Sequence, residues 1–527
     1  MQSYQSYAEY YHDLTKYTPD GITQNQHRLD FSQQPVPFKE YPNKKQIDLS
    51  CLLPLDGNPF SDAGIKNPAE FTPNEKLLYE LSRLLYFSNG ITAAVQHPDR
   101  PFYMRASPSA GGLYPTEIYL LTKGYEPLED GIYNYQSLSH SLTLLHKKDF
   151  SKQIADATFN NAAIGESKII LILTGVFYRS SWRYQDRAYR RICLDTGHVL
   201  GNIDLVSYPA NFKAVLIGGF HDGKINEILS LDEEEEQTLA VVALIDRNAV
   251  GAIPAIGEAC QGQHELPLQQ NTLPSRLDAV SLKTPEGQRL IQLHNRSRIE
   301  KFVNVPNIPG KNIEDSFKFS SKVFLSEDIK KFNWKTDLFD SIMKRRSTRT
   351  YSGEPITREQ LGTILSFAYK PQLYEFEGLD PEPVFFDLSL IETFVAVNNI
   401  EGLEEGCYFY STEGNHLRQV RFKNFREEIC YLCLGQELGF KASAVIFHTC
   451  DLSKAIFKYG ERAYRYIHMD AGHLGQKINL AAINLGLGVS GIGGFFDDNV
   501  NEILGIPEAE AVVYITTLGV PGRVKSA

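Results

Sequence analysis

Two kinds of apolar pattern alternate along most of the chain. Continuous apolar runs at Ile169–Leu173, Val241–Ile245 and Val512–Thr517 are typical of buried strands. Leu77–Phe87 and Arg358–Tyr369 instead repeat apolar residues every three or four positions, which predicts amphipathic helices. This alternation predicts an α+β fold in which a mixed sheet is covered by helices, an α/β/α arrangement.

One longer segment has a different pattern. Residues Ala463–Leu485 begin polar and become apolar nearly all round, which predicts a buried helix. A counterpart begins at Ala188. Two such helices are expected to pack against each other if the chain contains two copies of one domain.

A shift of 275 residues shows that the chain is duplicated. Tyr184–His198 (YQDRAYRRICLDTGH) aligns with Tyr459–His473 (YGERAYRYIHMDAGH), and over Tyr184–Leu229 the two copies share 20 identities in 46 positions without a gap. We therefore predict two tandem copies that form an intrachain pseudo-dimer, in which case the chain could be monomeric. The predicted divisions are a polar arm (1–69), a first domain (70–250), a linker that wraps the surface (251–334) and a second domain (335–527).

Composition narrows the class of protein. The net charge is -11, which argues against nucleic acid as a partner. The longest apolar runs fall short of a membrane span, and the N-terminus lacks the apolar core of a secretory signal, so a cytoplasmic protein without membrane contact is expected. Seven scattered cysteines indicate a reduced compartment. The close pair Cys430 and Cys433 is interpreted as two packed thiols, and redox or metal chemistry is the alternative. The acidic run Asp232–Glu236 is interpreted as a solvated loop or helix end.

A basic cluster opens the second copy. It comprises Arg345, Arg346, Ser347 and Arg349, within SIMKRRSTRTYSG, at the expected end of a helix. Guanidinium and hydroxyl groups form a suitable cradle for phosphate. A solvated basic turn or a phosphorylation site is the alternative. The first copy has only Lys66 in the equivalent region.

A loop of small residues occurs only in the first copy. We call Ser107–Gly112 (SPSAGG) the SPSAGG loop; its candidate ligand-binding residues are Pro108, Ser109, Ala110 and Gly111. Glycine lets backbone approach a flat ligand closely, and proline fixes the chain direction. The alternative is a simple turn before a strand. The second copy has Pro383–Phe386 (PVFF) at this place, which we call the PVFF loop. Each copy has thus kept a feature that the other lacks, which predicts one site made from both.

Several motifs together resemble the nitroreductase superfamily of FMN enzymes, and within it the SagB-type thiazole/oxazole dehydrogenases, which oxidise peptide azolines to azoles. The motifs are YHDLTKY, RASPSAGGLYPTEIY, DGIYNY, KYGERAYRYIHMDAGH, GLGVSGIGGF and RRSTR. In that family FMN lies at a dimer interface. The resemblance implies that Arg345, Arg346, Ser347, Arg349 and Arg523 hold the FMN phosphate, that Pro108–Gly111 form the opposite wall, and that Gly493 and Gly494 approach the flavin. It further implies one FMN per chain. The first copy's own IGGF segment, Ile217–Phe220, is then a structural remnant.

The resemblance also suggests the groups that move protons. In the SagB-type branch a Lys-Tyr pair is associated with removal of the acidic carbon proton, and Lys458 and Tyr459 match it. The first copy has Arg183 and Tyr184 instead, and arginine is a poor base near neutral pH. Lys458 is therefore the favoured base, although the pair could face the degenerate pocket and leave Tyr184 at the flavin. A surface lysine beside a packed tyrosine is the structural alternative.

The expected function is an FMN-dependent oxidoreductase acting on a small molecule or a modified peptide, in which hydride passes to flavin N5. The alternatives are a reductase of nitro compounds or quinones with NAD(P)H as electron donor, and a non-catalytic scaffold, with or without flavin, that docks a peptide-modifying partner. No metal is expected. The repeated DxGH at Asp195 and Asp470 is interpreted as structural, since it lies on the predicted buried helices.

Overall fold

The computed structural model describes residues 6–25, 27–53, 70–96, 101–247, 288–301, 305, 313–327, 329 and 332–522. The chain divides into two compact units, each of which contains one copy of the repeat. We call Asp30–Asn304 the first-copy unit, and Met1–Leu29 together with Val305–Ala527 the second-copy unit. Each unit therefore includes part of what the sequence assigned to the arm and the linker.

The chain begins with two helices that belong to the second-copy unit, α1 (Tyr7–Leu14) and α2 (Pro19–Gln24). The helices of the first-copy unit are α3 (Pro73–Asn89), α4 (Ser151–Ala157), α5 (Ala162–Glu166), α6 (Phe177–Tyr184), α7 (Ala188–Ser207), α8 (Asp222–Leu229) and α9 (Gln288–Arg296). Its strands are β1 (Gln46–Asp48), β2 (Ile91–Val95), β3 (Phe102–Arg105), β4 (Thr116–Thr122), β5 (Gly131–Gln136), β6 (Ser141–Lys147), β7 (Ile169–Val176), β8 (Phe212–Ile217) and β9 (Glu236–Asp246).

The second-copy unit repeats this plan. Its remaining helices are α10 (Trp334–Lys344), α11 (Arg358–Tyr369), α12 (Arg426–Leu432), α13 (Glu437–Lys441), α14 (Leu452–Tyr459), α15 (Ala463–Asn484) and α16 (Asp497–Leu504). Its strands are β10 (Lys322–Phe324), β11 (Ile356–Thr357), β12 (Glu392–Val397), β13 (Ile400–Glu401), β14 (Gly406–Ser411), β15 (His416–Arg421), β16 (Ala444–Asp451), β17 (Gly488–Ile492) and β18 (Glu510–Gly519).

Each unit is built on a sheet of seven strands. The strand order is β1-β6-β5-β4-β7-β9-β8 in one and β10-β15-β14-β12-β16-β18-β17 in the other, which is the same topology. All neighbouring strands in these two sheets are antiparallel, whereas the sequence predicted mixed sheets. The α+β class is confirmed, and so are the strands and amphipathic helices named above.

The predicted buried helices are α7 and α15. Every residue of α7 is buried, and so are Ala463–Ala482 of α15. Apolar side chains from sheet and helices form the rest of each core, including Ile170 and Ile172 in the first-copy unit and Phe394 and Phe447 in the second. A helix buried on all sides fixes the residues near its N-terminus firmly, which matters for the candidate site.

Helix α1 packs on the second-copy unit. Tyr11 is fully buried there, and His12 Nδ1 lies 3.2 Å from Tyr464 Oη. The N–H of Tyr7 donates to Glu461 Oε1 at 2.8 Å, and the N–H of Tyr17 donates to Asp497 at 2.9 Å. The predicted polar arm thus supplies a helix to the unit that contains the second copy.

Helix α9, from the predicted linker, makes the same contacts in the first-copy unit. His294 Nδ1 lies 3.0 Å from Tyr189 Oη, and the N–H of Ile299 donates to Asp222 at 2.9 Å. The N–H of Arg289 donates to Asp186 at 3.3 Å. Tyr189, Asp222 and Asp186 lie 275 positions before Tyr464, Asp497 and Glu461, the partners of the first helix.

The duplication is therefore longer than the sequence comparison indicated. The stretch Tyr11–Tyr17 (YHDLTKY) is the structural equivalent of Leu293–Ile299 (LHNRSRI). Each of these segments precedes one copy in the chain and packs in the unit that contains the other. We call this arrangement the arm exchange.

Candidate functional site

The arginine segment (Arg345–Arg349) follows the end of α10, as predicted. Arg345 is the C-terminal cap of the helix and is buried. Arg346 Nη1 donates to the carbonyls of Met343, at 3.0 Å, and Arg345, at 2.6 Å. These contacts fold one guanidinium back over the helix end, where backbone carbonyls favour positive charge.

Thr348 attaches this segment to β17. Its N–H donates to the Val489 carbonyl at 2.8 Å, and its Oγ1 accepts from the Val489 N–H at 2.9 Å. A Cβ on Gly488 would lie 2.8 Å from Thr348 Oγ1, so glycine permits the close approach. Strand β17 leads directly to Gly493 and Gly494, which are half-buried. The segment and the glycine pair predicted to bind FMN thus flank a single strand.

The donors of the segment suit an anionic group. Within the described part of the chain, the Ser347 hydroxyl makes no hydrogen bond, and the exposed guanidinium of Arg349 makes no hydrogen bond or ion pair. The N–H of Gly522 donates to the Thr350 carbonyl at 2.8 Å, which brings the C-terminal strand end beside the segment. Arg523, the remaining predicted phosphate ligand, lies outside the described residues, as does Lys66.

A buried carboxylate holds the SPSAGG loop in the first-copy unit. The Ser109 hydroxyl donates to Asp195 Oδ2 at 2.6 Å, and the N–H of Ala110 lies 3.2 Å from both oxygens of that carboxylate. Ser109 Oγ in turn accepts from the N–H of Tyr114 at 2.8 Å. Burial is the largest influence on Asp195 and raises its pKa to about 7, against the opposing effect of these hydrogen bonds.

Tyr184 lies against the glycine of this loop. Gly111 has φ +67°, and a Cβ there would lie 2.8 Å from Tyr184 Oη. The guanidinium carbon of Arg191, in α7, lies 4.0 Å from the centre of the Tyr184 ring, which is a cation–π contact. The loop, the tyrosine hydroxyl and a guanidinium therefore form one cluster at the N-terminal half of the buried helix.

The PVFF loop of the second copy is held in a similar way but has different contents. The N–H groups of Phe386 and Asp387 donate to the two oxygens of Asp470 at 2.9 and 2.8 Å. The Phe385 ring stacks on His473, with centroids 4.1 Å apart, and the Phe386 ring stacks on Tyr466 at 4.4 Å. Two aromatic rings thus lie where the other copy has small residues.

Lys458 and Tyr459 contact the residue that follows the PVFF loop. Lys458 Nζ lies 2.5 Å from Asp387 Oδ2, and the Tyr459 hydroxyl donates to the same oxygen at 2.9 Å. Burial works to raise the pKa of Asp387, but hydrogen bonds from Lys458, Ser389 and Tyr459 lower it overall. Burial, followed by the Asp387 charge, raises the pKa of Tyr459. Within its own unit the Lys-Tyr pair therefore accompanies the degenerate loop, and Tyr184 accompanies the SPSAGG loop.

Two residues of these clusters were not predicted for a site. Asp195 belongs to the DxGH motif that the sequence assigned to structure, and Arg191 replaces the aromatic residue that the second copy has at Tyr466. A difference between the copies at an otherwise matching helix position was the available signal for Arg191.

The structure corrects the interpretation of the acidic run Asp232–Glu236. Glu236 is buried and accepts a hydrogen bond from Lys39 Nζ, so it is not part of a solvated loop.

The remaining features concern the cysteine pair, groups that could hold a metal, and helix length. Cys430 lies in α12 and Cys433 just after it, both as free thiols. Among the described residues, no group of His, Cys, Asp and Glu side chains could hold a metal ion. In that same part of the chain, no helix combines the length and apolar character that a membrane crossing requires.

Comparison with known proteins gives consistent matches. A family model described as the nitroreductase family matches residues 80–244 and 342–520, one region in each copy. A crystal structure classed as a nitroreductase, from Anabaena variabilis ATCC 29413, is 45% identical to this chain with a TM-score of 0.85, and the alignment covers 98% of this chain and 100% of that one.

Two curated relatives each match about a third of this chain. MJ1384 of Methanocaldococcus jannaschii, named as a nitroreductase, is 33% identical over 171 residues, which is 32% of this chain and 85% of that protein. The microcin B17-processing protein McbC of Escherichia coli is 25% identical over 162 residues, which is 29% of this chain and 59% of that protein.

Proposed function

The chain belongs to the nitroreductase family, and from this premise we propose that it is an FMN-dependent oxidoreductase that binds one FMN per chain. The observation that carries the proposal is the division of features between the copies. The second copy has kept an arginine segment in which the Ser347 hydroxyl and the Arg349 guanidinium make no hydrogen bond among the described residues, and the first copy has kept a loop of small residues beside Tyr184.

The residues present fit the cofactor. Arg345, Ser347 and Arg349, with Arg523, would hold its phosphate through charge-assisted hydrogen bonds. Residues Pro108–Gly111 and the glycine pair Gly493–Gly494 would contact the ring system, since small residues let backbone approach a flat group. When bound, FMN supplies hydride chemistry at N5.

Tyr184 is the proposed proton-handling residue. Its hydroxyl lies against Gly111, and the guanidinium of Arg191 lies over its ring, which fixes the ring beside the SPSAGG loop. Lys458 and Tyr459 already bind Asp387, so in this proposal they support the PVFF loop. The role of Asp195 is to position the SPSAGG loop, because its carboxylate accepts hydrogen bonds from two consecutive residues of that loop.

The second copy's loop explains why a single FMN is proposed. The stacked rings of Phe385 and Phe386 fill the place that small residues have in the other copy. A flat cofactor would have to displace both stacked pairs, each of which contributes about 1 kcal/mol beyond the area it buries.

The proposed substrate class is a peptide azoline, oxidised to an azole. The motifs resemble the SagB-type dehydrogenases, and one relative is named as the microcin B17-processing protein. The enzyme that forms the azoline ring would then be a partner. Reduction of nitro compounds or quinones with NAD(P)H is the nearest alternative, since family members carry the nitroreductase name.

The first experiment is to measure FMN per chain in the purified protein, by releasing the flavin and comparing it with protein concentration. We expect one. Arg345→Ala with Arg349→Ala should abolish binding, whereas Arg358→Ala, at an exposed position at the start of α11, should not. Two FMN per chain would contradict the single site, and none after reconstitution with excess FMN would favour the flavin-free scaffold.

A second measurement separates the substrates. Under anaerobic conditions, an azoline-containing peptide should bleach the bound flavin faster than NADH or NADPH does. Rapid bleaching by NAD(P)H, with no response to the peptide, would assign the protein to the reductases. A protein that binds FMN but responds to neither would be a flavin-binding scaffold.

A further inference from the structure

The second-copy unit contains an acidic cavity that the proposed FMN chemistry does not use. Its volume is about 470 Å³, and it is lined by α1 and by the beginnings of α14, α16 and β18. Lys16 and His12 line it too, but carboxylates predominate. The acidic lining residues are Glu9, Asp13, Asp497, Asp498, Glu508 and Glu510.

The second copy lacks one side chain at the edge of this cavity. The sheet register makes Ala511, opposite Cys450, the equivalent of Gln237, opposite Gly175. In the first-copy unit, Gln237 is fully buried and its Nε2 donates to Asn295 Oδ1, in α9, at 3.0 Å. A methyl group in place of that amide leaves open the space between the strand and α1.

The neighbouring carboxylate differs between the copies in its partners. In the first-copy unit, Glu236 accepts from Lys39 Nζ and from Tyr119 Oη. The equivalent residue is Glu510, and Phe394 takes the place of the tyrosine. Glu510 keeps a single side-chain hydrogen bond, from Thr449 Oγ1 at 2.8 Å. Among the described residues no cationic group lies within ion-pair distance of it, and the charge of Lys454 acts on it only from farther away.

Glu510 is also deeply buried while lining the cavity. Only 4% of the residue is exposed. Burial, followed by the charge of Glu510, raises the pKa of the neighbouring Glu392 carboxyl to about 7, so a second acidic group lies close by. A buried carboxylate without a cation or a full set of donors is costly, and the cavity is the side from which a donor could reach it.

The charge of the lining is unbalanced. Lys16 is the one basic side chain of the cavity, apart from His12, and it already binds Asp13 at 2.8 Å and Asp498 at 2.7 Å. If all six carboxyls were ionised, the single charge of Lys16 would balance one of them and five negative charges would remain. Such a cavity attracts cations, and its volume is that of a site for a small ligand.

We propose that this cavity binds a primary alkylammonium group, with Glu510 as its buried carboxylate partner. An ammonium is compact and has three donors. Lys39 shows, in the first-copy unit of this chain, that the same carboxylate position accepts one. The group could come from a free polyamine or from a lysine side chain of a peptide, and the test below distinguishes them.

The test is isothermal titration of the full-length protein with putrescine and, separately, with Nα-acetyl-lysine amide. The uncharged Nα,Nε-diacetyl-lysine amide is the control ligand. Ala511→Gln restores the side chain that fills this space in the first copy, and it should abolish binding. Glu510→Gln should weaken binding about tenfold or more, because it removes a charged hydrogen-bond partner. Glu427→Gln, an exposed glutamate of α12, makes the same charge change elsewhere and should bind as the wild type does.

The outcomes decide the proposal without reference to FMN. Binding of putrescine alone would identify a free amine as the ligand, and binding of the lysine amide alone would identify a peptide side chain. Thermal melting of each variant checks that it is folded; if Ala511→Gln is not, Glu510→Gln carries the test. Equal affinity in the wild type and Glu510→Gln, no binding of either amine, or binding of Ca²⁺ in their place would overturn the proposal.

Discussion

Replacement of Gly111 by alanine tests whether Tyr184 acts at the flavin. The added Cβ would lie 2.8 Å from the Tyr184 hydroxyl, so the tyrosine has to move by about half an ångström to restore ordinary contact. The backbone at Gly111 has φ +67°, and alanine in that region costs about 1–2 kcal/mol. The substitution therefore has two separate effects, one on stability and one on the position of a hydroxyl.

Gly124→Ala is the matched control. Gly124 lies in the same unit with φ +57°, but a Cβ there would meet no atom within 4 Å. Both variants should lose stability by a similar amount, and the melting temperature should fall by about 2–4 °C per kcal/mol for a unit of this size. Gly111→Ala alone should also slow flavin reduction about tenfold, since small displacements of a reacting group are costly.

The assay is anaerobic stopped-flow reduction of the bound flavin by whichever donor reduces the wild type, at saturating FMN. Tyr184→Phe should reproduce the slow step without the loss of stability. If Gly111→Ala and Gly124→Ala reduce their flavin at the same rate, Tyr184 has no part in the reaction and the proposed role is refuted.

Three other expectations concern buried groups. Lys39→Met should lower the free energy of unfolding of the first-copy unit by about 3–5 kcal/mol in urea, because it leaves the Glu236 carboxylate buried without its cation. Lys45→Met, which removes an exposed ion pair, is the control and should have no measurable effect. Burial raises the pKa of Asp195 to about 7, so the folded state keeps a proton that the unfolded state releases near pH 4. The contribution of this proton to the free energy of unfolding should be lost as pH rises from about 4 to about 7. Asp195→Asn should remove that part of the pH dependence. Tyr11→Ala should cost the second-copy unit about 3 kcal/mol by the same urea assay, and an unchanged midpoint would show that α1 contributes nothing.

Much of the architecture could be predicted from the sequence. The 275-residue shift depends on identities in and around the buried helices α7 and α15, where close packing limits substitution, so the duplication and the α+β class were accessible. The arm exchange could not be predicted from the sequence. In the equivalent segments at Tyr11–Tyr17 and Leu293–Ile299 the histidine is the one identity. The shared contact at the end of each segment uses a backbone N–H group, which residues of different kinds can supply, and side-chain contacts such as those of Lys16 and Asn295 differ between the copies.

The candidate site was predictable in outline, and less so in detail. The arginine segment and the SPSAGG loop are local in sequence, so their composition indicated their chemistry. Asp195 holds a loop that lies 85 positions away from it, and Glu236 meets Lys39 across 197 positions. Pairings of this kind depend on strand register and helix position, which no local pattern reports. The partner of Lys458 was hidden for the same reason.

The arm exchange has a consequence for the order in which the protein is made. All elements of the first-copy unit have been synthesised once residue 304 has left the ribosome, so that unit can complete its core while translation continues. The second-copy unit has to wait, because α1 is synthesised before the first-copy unit and its partners only after it: the contact between Tyr7 and Glu461 spans 454 positions. During that interval the apolar face of α1 around Tyr11 lacks the surface that covers it in the folded unit, which exposes this helix to chaperones and to misassociation.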